Sequence, residues 1–161
     1  MCCGEDEWAE GGREWVISNY KTIYITTIRF TIMSIDIINQ LWGEATTIPQ
    51  RDPEVWRMDP CGAIIKKEDY GDRESEYGWE IDHVVSKSFL LDKGADEDEI
   101  GQEDNLRAMH WANNESKGTD YPEYLAVRSS DGEKNIKIEA YYTVSASLQK
   151  KLRILYQKYG L

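Results

Sequence analysis

The chain reads as an α+β fold, and three observations predict it. Short apolar-rich runs of strand length recur at Ala63 to Lys66, Trp79 to Val85 and Asn135 to Tyr142, the last alternating through Ile136, Ile138 and Ala140. Ile35 to Trp42 and Val144 to Tyr159 space their apolar residues for one face of a helix instead. Residues that favour turns separate these runs, so strands and helices are short and interspersed. A length of 161 residues suits one domain with a real core.

In chain order, MCCGEDEWAEGGREW is polar, and it leads into Ile23, Ile25, Ile28, Phe30 and Ile32, which alternate with Thr and Arg as in a half-buried strand. Two readings of residues 1–32 stand side by side: an added edge strand, or an extension ahead of a natural start at Met33. The single domain is accordingly expected over 33–161. Ser34 suits the N-cap of a helix whose Ile35, Ile38, Leu41 and Trp42 share a face, with Gly43 as its end. Pro49, Pro53 and Pro60 forbid regular helix in TTIPQRDPEVWRMDP and predict a loop around the body.

A strand at Ala63 to Lys66, a turn at Gly71, a strand at Trp79 to Val85, an acidic loop and a helix-like tail follow. Tyr121 to Val127 reads as irregular. Asp131-Gly132 marks a tight turn before the strand Asn135 to Tyr142. The last helix sets Leu148, Leu152, Leu155 and Tyr159 on one face and Lys150, Lys151, Arg153 and Lys158 elsewhere. The fold expected is thus a central strand-and-helix motif flanked by an N-terminal helix and a C-terminal strand and helix.

A net charge of −11 is the wrong sign for holding phosphate by charge alone. Residues 118–161 run against it, with seven basic and five acidic side chains, so a nucleic-acid surface should lean there. Cys2, Cys3 and the lone Cys61 make no disulfide framework, which fits a reducing, cytoplasmic setting. The most apolar run, Tyr20 to Trp42, is broken by Lys21, Arg29 and Asp36, and no membrane span or secretion signal is read.

The chemistry concentrates between Gly78 and Lys117. Hydrolysis of a phosphodiester needs a water, a group to take its proton, and positive charge for the transition state and the departing oxygen. A hard divalent ion such as Mg²⁺ prefers oxygen ligands and keeps several waters, so one carboxylate and one amide oxygen suffice to hold it. Asp82 and Asn114 can be those two. His83, its neighbour on a strand, points to the other face and can act as general base, since an imidazole titrates near neutral pH.

The order Trp-Glu-Ile-Asp82-His83-Val-Val, a variable loop, then Asn105-Leu106-Arg-Ala-Met-His110-Trp-Ala-Asn113-Asn114-Glu-Ser-Lys117 resembles an HNH endonuclease of the ββα-metal superfamily, in particular its small phage and bacterial members. It is also similar to the HNH domain of RNA-guided nucleases, where Asp-His-Ile-Val and a helix bearing Asn-x-x-x-Lys recur. The resemblance covers about forty residues strongly, and reaches more weakly back to Trp56 to Gly71. It implies a ββα-metal motif, with Asp82 a metal ligand and His83 the general base. Asn105 joins His83 in the catalytic set by clamping the loop behind it. Asn114 would be the second ligand of Mg²⁺ or Mn²⁺, and Lys117 would reach phosphate or tie down the loop.

Two departures from that pattern stand out. Many HNH proteins hold a structural zinc with two Cys-x-x-Cys pairs. Met58, Cys61, His110 and Asn113 occupy the equivalent positions here, so no four-ligand zinc site is expected and the corner should close by packing and hydrogen bonds. The insert LLDKGADEDEIGQED, read as a solvated loop from Asp92 to Asp104, would repel DNA if it lay along the groove.

Blander readings are set beside these. Asp82-His83 alone would be a surface pair on a strand; the matching offsets to Asn105, Asn114 and Lys117 tip it to catalysis. Asn113 competes with Asn114 as ligand, and the i, i+3 spacing to Lys117 favours Asn114. His110 suits hydrogen-bonded packing, Trp56 and Trp79 suit the core, and the cations of the last helix suit a wet face. The expected function is metal-dependent DNA hydrolysis with DNA as partner. A non-catalytic nucleic-acid or protein binding module, or an RNase or toxin effector on the same site, is the alternative. Nothing in these residues fixes an oligomeric state, a sequence specificity, or nicking over double-strand cleavage.

Overall fold

The computed structural model describes residues 35–161, so the expectations for residues 1–32, for Met33 and for Ser34 as a cap lie outside the described residues. Gln40–Leu161 forms a compact unit. Its architecture is mixed α+β, with five helices and three small antiparallel sheets among the described residues.

Helix α1 covers 35–44, and its Leu41 and Trp42 are fully buried. Strands β1 (Thr46–Thr47), β2 (Trp56–Met58) and β3 (Ile64–Lys66) make the first sheet in that order. The proline-rich stretch is therefore not all loop: its ends pair, Thr47 opposite Arg57 and Arg57 opposite Ile65. Arg57 fixes the connection, donating from Nε to the Pro53 carbonyl at 2.9 Å and from Nη1 to the carbonyls of Gly43 and Ala45 at 3.2 and 2.9 Å. Those carbonyls lie where a helix runs out of N–H partners.

Strand β4 (Trp79–His83) pairs with β5 (Leu106–His110), which runs straight into helix α4 (Trp111–Lys117). This corrects the expected order. The strand preceding β4 in sequence belongs to another sheet, and the partner of β4 is Leu106–His110, a stretch for which the sequence predicts no strand and whose last residue, His110, is expected at the start of the helix-like tail. Gly78 opens β4 because nothing larger fits: a Cβ there would sit 1.7 Å from the Asp72 carbonyl oxygen.

The acidic insert is folded, against the expectation of a solvated loop. It forms α2 (Lys87–Asp92) and α3 (Glu97–Ile100), with Leu90, Ala95 and Ile100 in the core. Asp96 caps α3, accepting from Glu99 N at 2.9 Å while Glu99 returns a bond to Asp96 N at 3.1 Å, so the acidic run encodes a capping box.

Strands β6 (Glu123–Ser130) and β7 (Asn135–Thr143) form the third sheet, with a bulge between Ala126 and Arg128. Residues 123–127, expected to be irregular, are thus strand. Helix α5 (Ala146–Leu155) starts on Ser145, and Leu148, Leu152 and Leu155 face the core as their spacing predicted. Its cations are not all free: Lys151 pairs with Asp104 at 2.7 Å, and Lys158, just beyond the helix, pairs with Glu99. The Tyr156 hydroxyl adds a bond to the Glu99 carbonyl at 2.9 Å. The insert is therefore docked on the C-terminal segment by charge as well as by packing.

Hydrogen bonds from Lys158, then Tyr159, hold the Glu99 carboxyl down at about 2, below its usual 4.5. A depressed carboxylate contributes stability that is present above pH 4.5 and lost as pH falls toward 2. Protection of the α3 amides, taken relative to unstructured exchange rates at each pH, should fall across that window. In Glu99→Gln the window should flatten; an unchanged pH dependence would contradict the docking.

Candidate functional site

The antiparallel register of β4 and β5 sets Asp82 opposite Arg107 and His83 opposite Leu106. Arg107 Nε donates to Asp82 Oδ2 at 2.7 Å across the strands. From α4, Lys117 Nζ approaches Asp82 Oδ1 at 3.1 Å and donates to the His83 carbonyl at 2.9 Å. Asp82 and Lys117 are both buried, with 2% and 1% of their side chains exposed. One carboxylate thus fastens two strands and a helix, and breaking such a buried set costs about 3–5 kcal/mol.

A cleft of about 240 Å³ opens beside this triad, bordered by Asp82, His83, Ser86, Lys87, Asn114 and Thr119. His83 ends β4, and it lines the same cleft as Asp82 rather than standing across the sheet from it. Its imidazole has no hydrogen-bond partner among the described residues. Burial pushes its pKa below the ordinary 6.5, with the Asp82 charge opposing that in part. The ring is therefore mostly neutral at pH 7 and free to accept a proton.

Asn114 Nδ2 donates to Glu80 Oε2 at 3.0 Å, which orients the amide and leaves Oδ1 without a partner among the described residues. Glu80 is itself held by Arg73, whose hydrogen bond draws the carboxyl below its usual range. Asn113, the competing candidate, is fully buried and saturated. Its Oδ1 accepts from Val127 N and Arg128 N at 2.9 and 2.8 Å, and its Nδ2 donates to Asp59 Oδ2 and the Arg128 carbonyl at 2.8 and 2.9 Å. It serves the bulge in β6, and only Asn114 meets the cleft.

Asn105 does not border the cleft. Its Oδ1 accepts from Val85 N at 2.8 Å, its Nδ2 donates to the carbonyls of Val85 and Ile100 at 3.2 Å, and its own carbonyl accepts from Val84 N at 2.8 Å. It holds the chain immediately after His83, and so is a positioning residue rather than a catalytic one. Lys117 likewise has its ammonium spent inside the protein; of its two expected roles, reaching phosphate or tying down the loop, its bond to the His83 carbonyl matches the second.

The corner where relatives of the resembled family carry zinc is organised by a residue the sequence reading passed over. Asp59 is buried between Met58 and Cys61. Its Oδ1 accepts from Cys61 N and Ala63 N at 2.8 and 2.9 Å, and its Oδ2 from Asn113 Nδ2 and His110 N at 2.8 and 3.3 Å. Burial raises its pKa. The Cys61 thiol is pushed up to about 12, chiefly by burial, and is thus an inert core group. His110 Nδ1 accepts from Ala112 N at 3.1 Å, so Nε2 carries the hydrogen toward the Glu76 carbonyl at 2.9 Å.

The donor set of the cleft fits a hard divalent ion. A carboxylate has about four acceptor sites; the Asp82 oxygens use one each, and Asn114, which borders the same cleft, has its Oδ1 without a partner among the described residues. Two oxygen donors with water and substrate completing the shell is a Mg²⁺-like environment. No cluster of three or more His, Cys, Asp or Glu side chains with metal-site spacing occurs among the described residues, so protein atoms alone do not cage an ion.

Replacing Asn105 with Ala should orphan the buried Val85 N–H and cost about 2–3 kcal/mol in urea unfolding. Amides of residues 84–86 should exchange faster than those of β6, whereas uniform protection would contradict the clamp. Compared with models of protein families, with curated proteins and with solved structures, the chain matches none.

Proposed function

We propose that this chain is a metal-dependent endonuclease of the HNH type, hydrolysing DNA phosphodiester bonds at the cleft between β4 and α4. The observation that carries the reading is the meeting of an unpaired, mostly neutral imidazole with a carboxylate and a free amide oxygen on one small cleft. His83 takes the proton of the attacking water. Asp82 and Asn114 would hold Mg²⁺ or Mn²⁺, which supplies Lewis-acid stabilisation of the phosphorane-like charge and the leaving oxygen. Lys117, on the His83 carbonyl, and Asn105, on Val85, set where the imidazole stands. Lys87 and Ser86 line the mouth where the phosphate enters.

The ββα-metal assignment is part of the same proposal, supported by the β4–β5 hairpin leading directly into α4. A rival reading, a non-catalytic binding module, draws on one observation: both Asp82 oxygens already meet a cation. No helix among the described residues is long and apolar enough to cross a membrane.

Nicking of supercoiled plasmid in Mg²⁺ should be abolished by chelator, and His83→Ala should lower it by about 10²–10⁴-fold with an unchanged circular dichroism spectrum. Single-stranded DNA and RNA run alongside identify the substrate. Equal nicking by His83→Ala would overturn the assignment, and metal-independent binding without cleavage would favour the module.

A further inference from the structure

Ser86 and Thr119 line two cavities at once. On one side is the cleft of His83, and on the other a hollow of about 400 Å³, within the size range of small-ligand sites. The walls of the hollow are Phe89, Tyr121 and Pro122, with the exposed Arg153 at its edge. The Tyr121 hydroxyl is buried and has no hydrogen-bond partner among the described residues. A buried hydroxyl left unpaired is costly, and since this one is shielded from the hollow, Tyr121 offers the hollow its ring. Arg153 spends one Nη2 contact on Gln149 Oε1 at 3.1 Å, which leaves further guanidinium donors available.

We infer that this hollow is a nucleobase pocket, receiving an unpaired base of the strand whose phosphodiester lies at His83. The inference rests on the nuclease reading for the position of that phosphate. Two aromatic rings and a proline offer apolar surface for a base, Arg153 offers hydrogen bonds to its edge, and the shared rim at Ser86 and Thr119 lets one strand occupy both cavities. A base stacked and paired in a duplex has no face or edge to present here. The preferred substrate is therefore single-stranded or locally opened nucleic acid, recognised by stacking rather than by the net charge, which is unfavourable.

The test is fluorescence titration of the full chain carrying His83→Ala, which binds without cutting, against a single-stranded oligonucleotide containing 2-aminopurine. A saturable fluorescence change is expected, with affinity about tenfold weaker in Arg153→Ala and in Phe89→Ala. Tyr121→Phe discriminates further. Removing an unpaired, shielded hydroxyl should raise the melting temperature and leave base binding unchanged. Tyr121→Ala, which removes the ring, should instead weaken base binding, and unchanged binding in that variant overturns the pocket. An abasic oligonucleotide bound as tightly as the intact one, or no fluorescence change from a protein that does cut, overturns the pocket and leaves the nuclease reading standing. A fluorescence change with a wild-type protein that cuts nothing supports the pocket and overturns the nuclease.

Discussion

The buried carboxylate of Asp82, gripped by Arg107 from the neighbouring strand and Lys117 from the following helix, is the constraint on which the rest depends. It locks β4, β5 and α4 into one unit. Two cations around one anion leave a net positive charge beneath the cleft, where a phosphate would sit. Under the proposed function, any ion held by Asp82 would share the carboxylate with two protein cations, and Asn114, on the same cleft, would add an uncharged oxygen donor.

A second buried carboxylate works at the opposite end of α4. Asp59 collects backbone N–H groups from its own turn and from His110, together with the amide of Asn113. Asn113 in turn satisfies the N–H groups that the β6 bulge leaves unpaired. A hydrogen-bonded knot therefore ties the turn after β2 to the start of α4 and to β6. Helix α4 is pinned at both ends, and Asn114 is presented between the pins.

Much of this was legible beforehand because it rests on local pattern. The α5 face follows from the spacing of Leu148, Leu152 and Leu155, and β7 from the alternation after Asp131-Gly132. What was not legible depends on long-range pairing. Residues 106–110 carry no clean alternation, since β5 buries Ala108, Met109 and His110 in succession, so the strand and the cross-strand role of Arg107 were invisible. The acidic insert hid its capping box in a run of like charge, and the Lys158 and Lys151 partners that fold it lie some fifty residues away. For the site, the residue types and spacing pointed to Asp82, His83 and Asn114. They did not distinguish lining a cleft from supporting it: Asp82, Asn105 and Lys117 are all buried, and the hydrogen bonds that Asn105 and Lys117 spend on the backbone around His83 set those two apart.

The chain has only two histidines, which permits a direct measurement of the central claim. His83 lines the cleft, while His110 lies in the Asp59 knot at the far end of the β4–β5 pairing. In a proton spectrum titrated with sub-stoichiometric Mn²⁺, paramagnetic broadening should reach the His83 ring signals and spare those of His110. The selectivity should vanish in Asn114→Ala. Equal broadening of both rings, or none at concentrations that saturate ordinary carboxylate sites, would contradict an ion held by Asp82 and Asn114 within reach of the imidazole.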